Sequence, residues 1–539
     1  MRDIIAILVW LLWVTTASAQ VTWHPGVAAQ IPLGAYIGAP GANCASGYAY
    51  AAKVGRMPDY WTYYTPDQGT NTAGFKTAVS GSNGVPAFPD VGCYQNIIVK
   101  VRMITNDNST VYMTYKSIAA GTFNTDYWTY LGNALTTAGF THPIVIIGWE
   151  QNGNFYPWSD NYVVMDGGTG TGLMLPLVFN HITGAIMSIG TPNQWTLGHG
   201  YSANDVVTVD DGTCSSVPAV NILTVNGSGV PLTYSVNNAG LCSTVPGPGN
   251  WIAAFQDVSA AITAAVPGAI IAFDPNCFSG SNGWNQDYPG DSYVQMVGID
   301  CYDQSNIVSV VAGGGAALAN GNVTIANQPQ TASVLHIAIV NGATPITGGT
   351  IAITYNASGA KTDTFNLATA ASAQSNFFTT HATASVTQIA VANLAGGSGA
   401  SKVVVVADAP AARWYYTLHE SDGLTDIATV AGATANAKCA GSPSPCNSNI
   451  NVTVGAAKLL GILETGTYTA GTAALNSGSA TGSLGGDDPY WIDQEAQWCA
   501  TNKCSVLLQF DAKPALMFGN ATGYAQPGNA AAFIQDYAP

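Results

Sequence analysis

Charge is scarce in this chain: only 8% of its 539 residues are Asp, Glu, Lys or Arg, against roughly a quarter in an ordinary soluble domain. Basic residues are the scarcer kind, 14 against 30 acidic, giving a formal charge of -16. A chain so short of cations repels phosphates, which argues against nucleic acid as a partner. An uncharged polymer is compatible with that balance. The seven histidines are scattered, and none is singled out as a catalytic base. No paired CxxC and no His at zinc spacing occurs, so no metal site is expected and no cofactor is called for. Beyond the first residues no apolar run is long enough to cross a bilayer, which leaves no membrane partner once a leader is removed.

Hydrophobic residues, in contrast, make up 47%, enough to bury cores and inconsistent with disorder. The length implies subdivision of that core. Residues 4–14 form a short apolar run after Arg2, followed by the small-residue triplet Ala17-Ser18-Ala19. This reads as an export signal over 1–19, with the mature chain beginning at Gln20 and a secreted or periplasmic destination. Ten cysteines fit an oxidising compartment. They group as neighbours: Cys44 with Cys93, Cys214 with Cys242, Cys277 with Cys301, Cys439 with Cys446 and Cys499 with Cys504. Sequence alone leaves their connectivity open.

Two textures alternate along the chain. In one, continuous apolar strands alternate with amphipathic helices. Residues 97–103, 144–147, 269–273, 293–302, 458–464 and 505–510 read as buried strands. Tyr127, Leu131, Leu135 and Ala138, and later Trp251, Phe255, Val258 and Ile262, recur at helical spacing. Asp488-Pro489 reads as a helix start and the C-terminal segment as a helix. The other texture is rich in Gly, Thr and Asn, with short strands over 205–209, 221–225, 232–236, 333–340, 350–355, 386–391 and 402–406. The Gly-rich stretch 167–172 carries no following Lys and reads as a turn. The expected fold is α/β, a (β/α)8 TIM barrel with two inserted all-β domains. Barrel parts span 20–160, 247–304 and 413–539, and the inserted domains 161–246 and 305–412.

Two apolar strands end in a carboxylate. "IVIIGWEQNGNFYPW" at 144–158 runs from strand to Glu150 and then into an aromatic and amide-rich loop; "KLLGILETG" at 458–466 ends in Glu464. The C-terminal ends of barrel strands are where catalytic groups sit. Aromatic faces stack on sugars, amides bond hydroxyls, and two carboxylates are the minimum equipment for cutting a glycosidic bond. Either Glu alone is more often a structural residue; the pair beside aromatics is the informative signal.

These segments resemble glycoside hydrolase family 26, retaining barrel glycosidases best known as β-mannanases. The resemblance is carried by "IPLGAYIGAP", "AAGTFNTDYW", "GWEQNGNFYPW", "YPGDSYVQMVGIDCYDQ", "ILETGT" and "GGDDPYWIDQ". It covers 20–160, 247–304 and 413–539. It implies Glu150 as general acid/base, Glu464 as nucleophile and Tyr302 as a hydrogen-bond donor to the nucleophile. Asn152, Tyr156, Trp158 and Asp300 match its sugar-binding rim, with Trp149 beside them. Trp149 stands where the family usually has His, and Gln151 replaces a more usual apolar residue.

Glu150 and Glu464 are 314 positions apart. Without β-rich segments of 86 and 108 residues the separation is 120, about three βα units at roughly 30 residues each. The inserts themselves resemble small β-modules of phage and bacterial surface proteins, through "GYSANDVVTVDDGT" and "VNNAGLCSTVP". Three functions compete: a secreted retaining endo-β-glycanase acting on mannan or a mixed β-glucan, a non-catalytic glycan-binding surface protein on a barrel scaffold, and a phage-associated exopolysaccharide glycosidase. Polysaccharide is the partner in each.

Overall fold

The computed structural model describes residues 28–36, 44–66, 72–80, 88, 96–104, 112–153, 156–180, 183–275, 287–303, the strands between 308 and 454, and 459–467, 492, 495–496, 499–500, 503–510 and 533. The export signal and the helix start at Asp488-Pro489 lie outside them, as does all of the expected C-terminal helix but Phe533.

Eight parallel strands close into a barrel in chain order. They are β1 (Leu33–Tyr36), β2 (Tyr60–Tyr64), β3 (Asn96–Val101), β4 (Ile144–Ile147), β5 (Ile270–Phe273), β6 (Met296–Asp303), β7 (Leu459–Thr467) and β8 (Val506–Phe510). β8 returns to β1 with Leu33 opposite Leu507. Strands covered on both faces must be apolar throughout, which is why β4 is Ile-Val-Ile-Ile with all four residues buried. Helices α1 (Cys44–Val54), α2 (Thr72–Ser80), α3 (Tyr115–Ala119), α4 (Thr129–Thr137) and α5 (Pro248–Ala265) fall between strands. α5 opens with Pro at its first position, where no donor is lost. Its stripe Trp251, Phe255, Val258 and Ile262 joins the barrel core. Tyr127 also packs into that core, but from a π-turn over Asn124–Trp128 rather than from a regular helix.

The register between β6 and β7 contains an irregularity. Ile299 faces Ile462, but Asp300 faces Glu464, so Leu463 is extra. β7 shifts against β8 over the same stretch. In a strand one extra residue exchanges the two faces. The bulge therefore brings Glu464, in place of Leu463, level with Asp300.

Between β4 and α5 the chain forms an antiparallel sheet with Tyr162–Gly167, Thr171–Phe179, Val206–Val209 and Ala219–Val225 among its strands. Tyr162 and Val164 join the barrel core, whereas Val163 and Met165 join a second core with Leu173, Leu175, Val207 and Ile222. One strand thus serves two cores through its two-residue alternation. Between β6 and β7 the strands form two four-stranded sheets and a three-stranded sheet. The last contains Thr417–Glu420 and Asn449–Val454, and the next barrel strand, β7, begins at Leu459, as the apolar run at 458–464 indicates. Among the described residues no helix is long and apolar enough to cross a membrane.

Cys214 is bonded to Cys242 and Cys499 to Cys504. The other three expected pairs each involve side chains outside the described residues.

Gly298 lies on β6 where β7 presses closest. A methyl group there would meet the Leu463 side chain and approach the Gly461 carbonyl to 2.8 Å. Gly298→Ala is expected to cost about 1–3 kcal/mol through overpacking, read as a lowered midpoint in urea unfolding. An unchanged midpoint would mean that the bulge at Leu463 is free to move.

Candidate active site

Each polar residue of the site stands at the carboxyl end of a barrel strand. Tyr64 is the last residue of β2, and Lys100 is one residue from the end of β3. Glu150 and Asp274 follow β4 and β5, while Asp300 and Glu464 lie on β6 and β7. Register makes Tyr64 and Lys100 neighbours, as it does Asp300 and Glu464.

At the centre is a cation. The Lys100 ammonium lies 3.1 Å from Asp274 Oδ2, 3.2 Å from Asp300 Oδ2 and 2.5 Å from Glu464 Oε2. Lys100, Asp274 and Asp300 are fully closed to solvent. Burial alone would strip the lysine of its proton, but the three carboxylates outweigh that and hold it well above its ordinary value. Burial pushes the Asp274 carboxyl up to about 6 against the pull of Lys100. Burial also drives Asp300 well above the carboxylate range, reinforced by Glu150 and Glu464. The Tyr64 hydroxyl donates to the same Glu464 Oε2 that Lys100 holds. Burial and then the Glu464 charge keep that phenol protonated.

Glu150 is placed by a different device. Its φ is +53°, a left-handed conformation that a glutamate rarely adopts, and Gly148 two residues earlier is at +55°. The tight turn is pinned at both sides: Gly148 N–H donates to the Val101 carbonyl at 2.8 Å, and Glu150 N–H to the Asp274 carbonyl at 2.7 Å. Beyond it the Trp158 indole donates to the Trp149 carbonyl, and the Trp251 indole on α5 donates to the Trp158 carbonyl, both at 2.9 Å. These bonds tie the loop to the helix behind it.

The expected site residues are brought together. Trp149, Tyr156 and Trp158 pack as a group, Tyr156 and Trp158 being stacked at 4.5 Å. Trp158 is wholly buried, and Trp149 and Asn152 nearly so. The Trp158 ring is stacked on Tyr156 and its N–H donates to the loop backbone. Tyr156 alone of the three aromatic rings keeps part of its surface open. Glu150 and Glu464 are each at least nine-tenths buried, and both charges act on Asp300 and on the Tyr156 hydroxyl. The Tyr302 backbone lies in β6, with its side chain outside the described residues.

Lys100, Tyr64 and Asp274 did not emerge from the sequence. Lys100 had a signal, since a lone cation inside "NIIVKV" must find partners once buried. Asp274 had the same strand-end position that singled out Glu150. Tyr64 had none, because "YWTYY" shows no two-residue alternation of polarity.

No protein-family model matches the chain, and no curated protein matches it. Solved structures do. A mannanase of Bacillus subtilis is 12% identical with a TM-score of 0.26, over 51% of this chain and 62% of that one. The YdhT protein of Bacillus subtilis is 11% identical with a TM-score of 0.26 over the same shares. The family 26 domain of an endo-β-mannanase/endo-β-glucanase from Prevotella bryantii is 13% identical with a TM-score of 0.25, over 52% of this chain and 70% of that one. The chain thus spans about 62% of the length of the first two. At such identities and TM-scores the likeness is distant, and the functional reading rests on the site itself.

The elevated Asp274 carboxyl gives a pH signature. The folded chain holds this proton up to about 6 and the unfolded chain only to 3.8. Between those values the folded state binds more protons, so this group's contribution is full below the unfolded value and is lost as pH rises through about 6. Unfolding free energy measured from pH 4 to 7 is expected to fall less steeply in Asp274→Asn than in the parent. Parallel curves would show that Asp274 titrates alike in both states.

Proposed function

We propose that the chain is a secreted retaining glycoside hydrolase that cuts a β-linked polysaccharide from within, mannan or a mixed β-glucan first. The observation that carries this reading is that Glu150 and Glu464, 314 positions apart, are tied to one residue, Asp274: its carbonyl takes the Glu150 N–H, and its carboxyl holds the Lys100 ammonium that contacts Glu464. Two carboxyl groups at one barrel mouth, beside a partly open aromatic ring, are what glycosidic cleavage needs.

In this reading Glu150 gives its proton to the glycosidic oxygen as the bond to the anomeric carbon breaks. Glu464 attacks that carbon from the other side and forms a glycosyl ester. Glu150, now a carboxylate, then takes a proton from water, and the resulting hydroxide displaces Glu464. Retention requires the two carboxyl groups to stand about 5–5.5 Å apart. Tyr156 offers the ring face on which a sugar stacks, and Asn152 and Asp300 complete the lining. The pinned left-handed turn at Glu150 fits this role, because strain of this kind costs about 1–3 kcal/mol and persists where surrounding structure enforces it. We place residues 1–19 as the export signal, and the β-rich segments 161–246 and 305–412 as inserted domains that wall the cleft.

The test is hydrolysis of a panel of mannans, β-glucans, xylans and bacterial exopolysaccharides, with the anomeric configuration of the first product read by proton NMR. Retention is expected. Glu464→Ala should lose turnover yet bind glycan, and Glu150→Ala should lose about 10²–10⁴-fold. Azide should restore part of the latter as a β-glycosyl azide on a substrate with a good leaving group. Binding of glycan without hydrolysis by the parent protein would replace this reading with that of a glycan-binding protein.

A further inference from the structure

A buried lysine with three carboxylates is costly unless its charge is used or fully matched. Here the match is uneven. Lys100 comes closest to Glu464, at 2.5 Å, and stands 3.1 and 3.2 Å from Asp274 and Asp300. Its three partners come from β5, β6 and β7, and it reaches them from β3, across the barrel mouth. Asp274 and Asp300 thus hold the ammonium from two sides, and the ammonium holds Oε2 of Glu464. The Tyr64 hydroxyl meets the same oxygen from the neighbouring strand.

We propose that Lys100 is a positioning residue which acts through Glu464: clamped by Asp274 and Asp300, it fixes one carboxylate oxygen and sets a positive charge against it. This rests on the reading of Glu464 as nucleophile. The groups that bear on Glu464 are Lys100, Tyr64, Asp274, Asp300 and Tyr156, with Glu150 acting through the last two. Of these only Lys100 is a cation, and its ammonium touches Glu464 Oε2 directly. When Glu464 attacks, the electron pair of the broken bond goes to the glycosidic oxygen, which takes the proton of Glu150, so the negative charge passes to the Glu150 carboxylate. The ester that remains is neutral, and Lys100 then keeps only its contacts to Asp274 and Asp300. The same ammonium therefore opposes loss of charge at Glu464 while holding its oxygen in place, a compromise that a purely structural lysine would not show.

Two measurements on one set of variants test this. The first is the pH dependence of kcat/KM for the parent, Lys100→Met and Lys100→Arg. The acidic limb is expected to rise by about 1–3 pH units in Lys100→Met, as loss of a contacting opposite charge does. In Lys100→Arg it should stay in place, with kcat lowered and KM little changed. A lysine that only supports the fold would lower activity evenly at every pH and leave the limb where it was, and that result overturns the proposal. The second is infrared titration of the Glu464 carboxylate, its band identified by its loss in Glu464→Gln, which needs no substrate. An upward shift in Lys100→Met that is absent in Lys100→Arg supports the proposal; identical titration in all three overturns it. If no glycan is hydrolysed by the parent, the hydrolase reading falls while the infrared titration still decides the role of Lys100. Should Lys100→Met not fold, Lys100→Gln carries the same comparison.

Discussion

The ammonium of Lys100 is the constraint on which the barrel mouth depends. Parallel strands closed into a barrel have no solvent on their inner face, so a carboxylate placed there must be neutralised or matched. Three such groups from three strands meet here around one cation from a fourth, and the raised Asp274 and Asp300 carboxyls lessen the excess of negative charge. Removing one member of a buried ion cluster costs about 3–5 kcal/mol because the rest is left uncompensated. The cluster therefore couples β3 to β5, β6 and β7 more firmly than strand pairing alone. It does so at the level where Glu464 is delivered by the bulge at Leu463. Without that extra residue Leu463 would oppose Asp300, and the lysine would lack its shortest contact.

A second fixed point is the loop after β4. Its left-handed Glu150 is held by a backbone bond to Asp274, the residue that also anchors Lys100. Asp274 thus uses its carbonyl for one glutamate's turn and its carboxyl for the lysine that holds the other. The two glutamates are referenced to the same short segment of chain after β5, so their relative placement does not rest on long loops. The indole-to-carbonyl chain from Trp251 through Trp158 to Trp149 then fixes the outer side of the loop.

The barrel was legible where strands are apolar on both faces: "IVII" and the stretch ending in Phe273 need no partner to be read as buried. The two glutamates were legible by the same rule, since a carboxylate closing such a run sits at the mouth. Lys100 was not read because a charge inside a strand breaks the pattern that defines it, and its meaning appears only with three carboxylates up to 364 residues away. The bulge at Leu463 is a property of pairing and leaves no mark in the text. Strands Tyr162–Gly167 and Thr171–Phe179 were hidden by the glycines between them, although their hydrophobic residues are continuous. The burial of Trp158 was not legible either, because a motif places an indole near the site without telling which way its face is covered.

The indole of Trp149 has an electrostatic fit to this site. The Trp149 ring packs edge-on against Tyr64 and Tyr156, with Lys100 Nζ 6.0 Å and the Arg102 guanidinium 5.8 Å from its centroid. Two cations beside one ring favour the negative face of an indole, at about 0.5–2 kcal/mol for each well-placed contact. An imidazole in the same place would have its protonated form opposed by both, and its neutral form has a weaker face to offer. Once Lys100 takes the central place among Asp274, Asp300 and Glu464, the neighbouring position no longer suits a titrating ring. Trp149 is therefore coupled to Lys100: the lysine that matches the carboxylates is shielded on its other side by an aromatic surface that cannot gain charge.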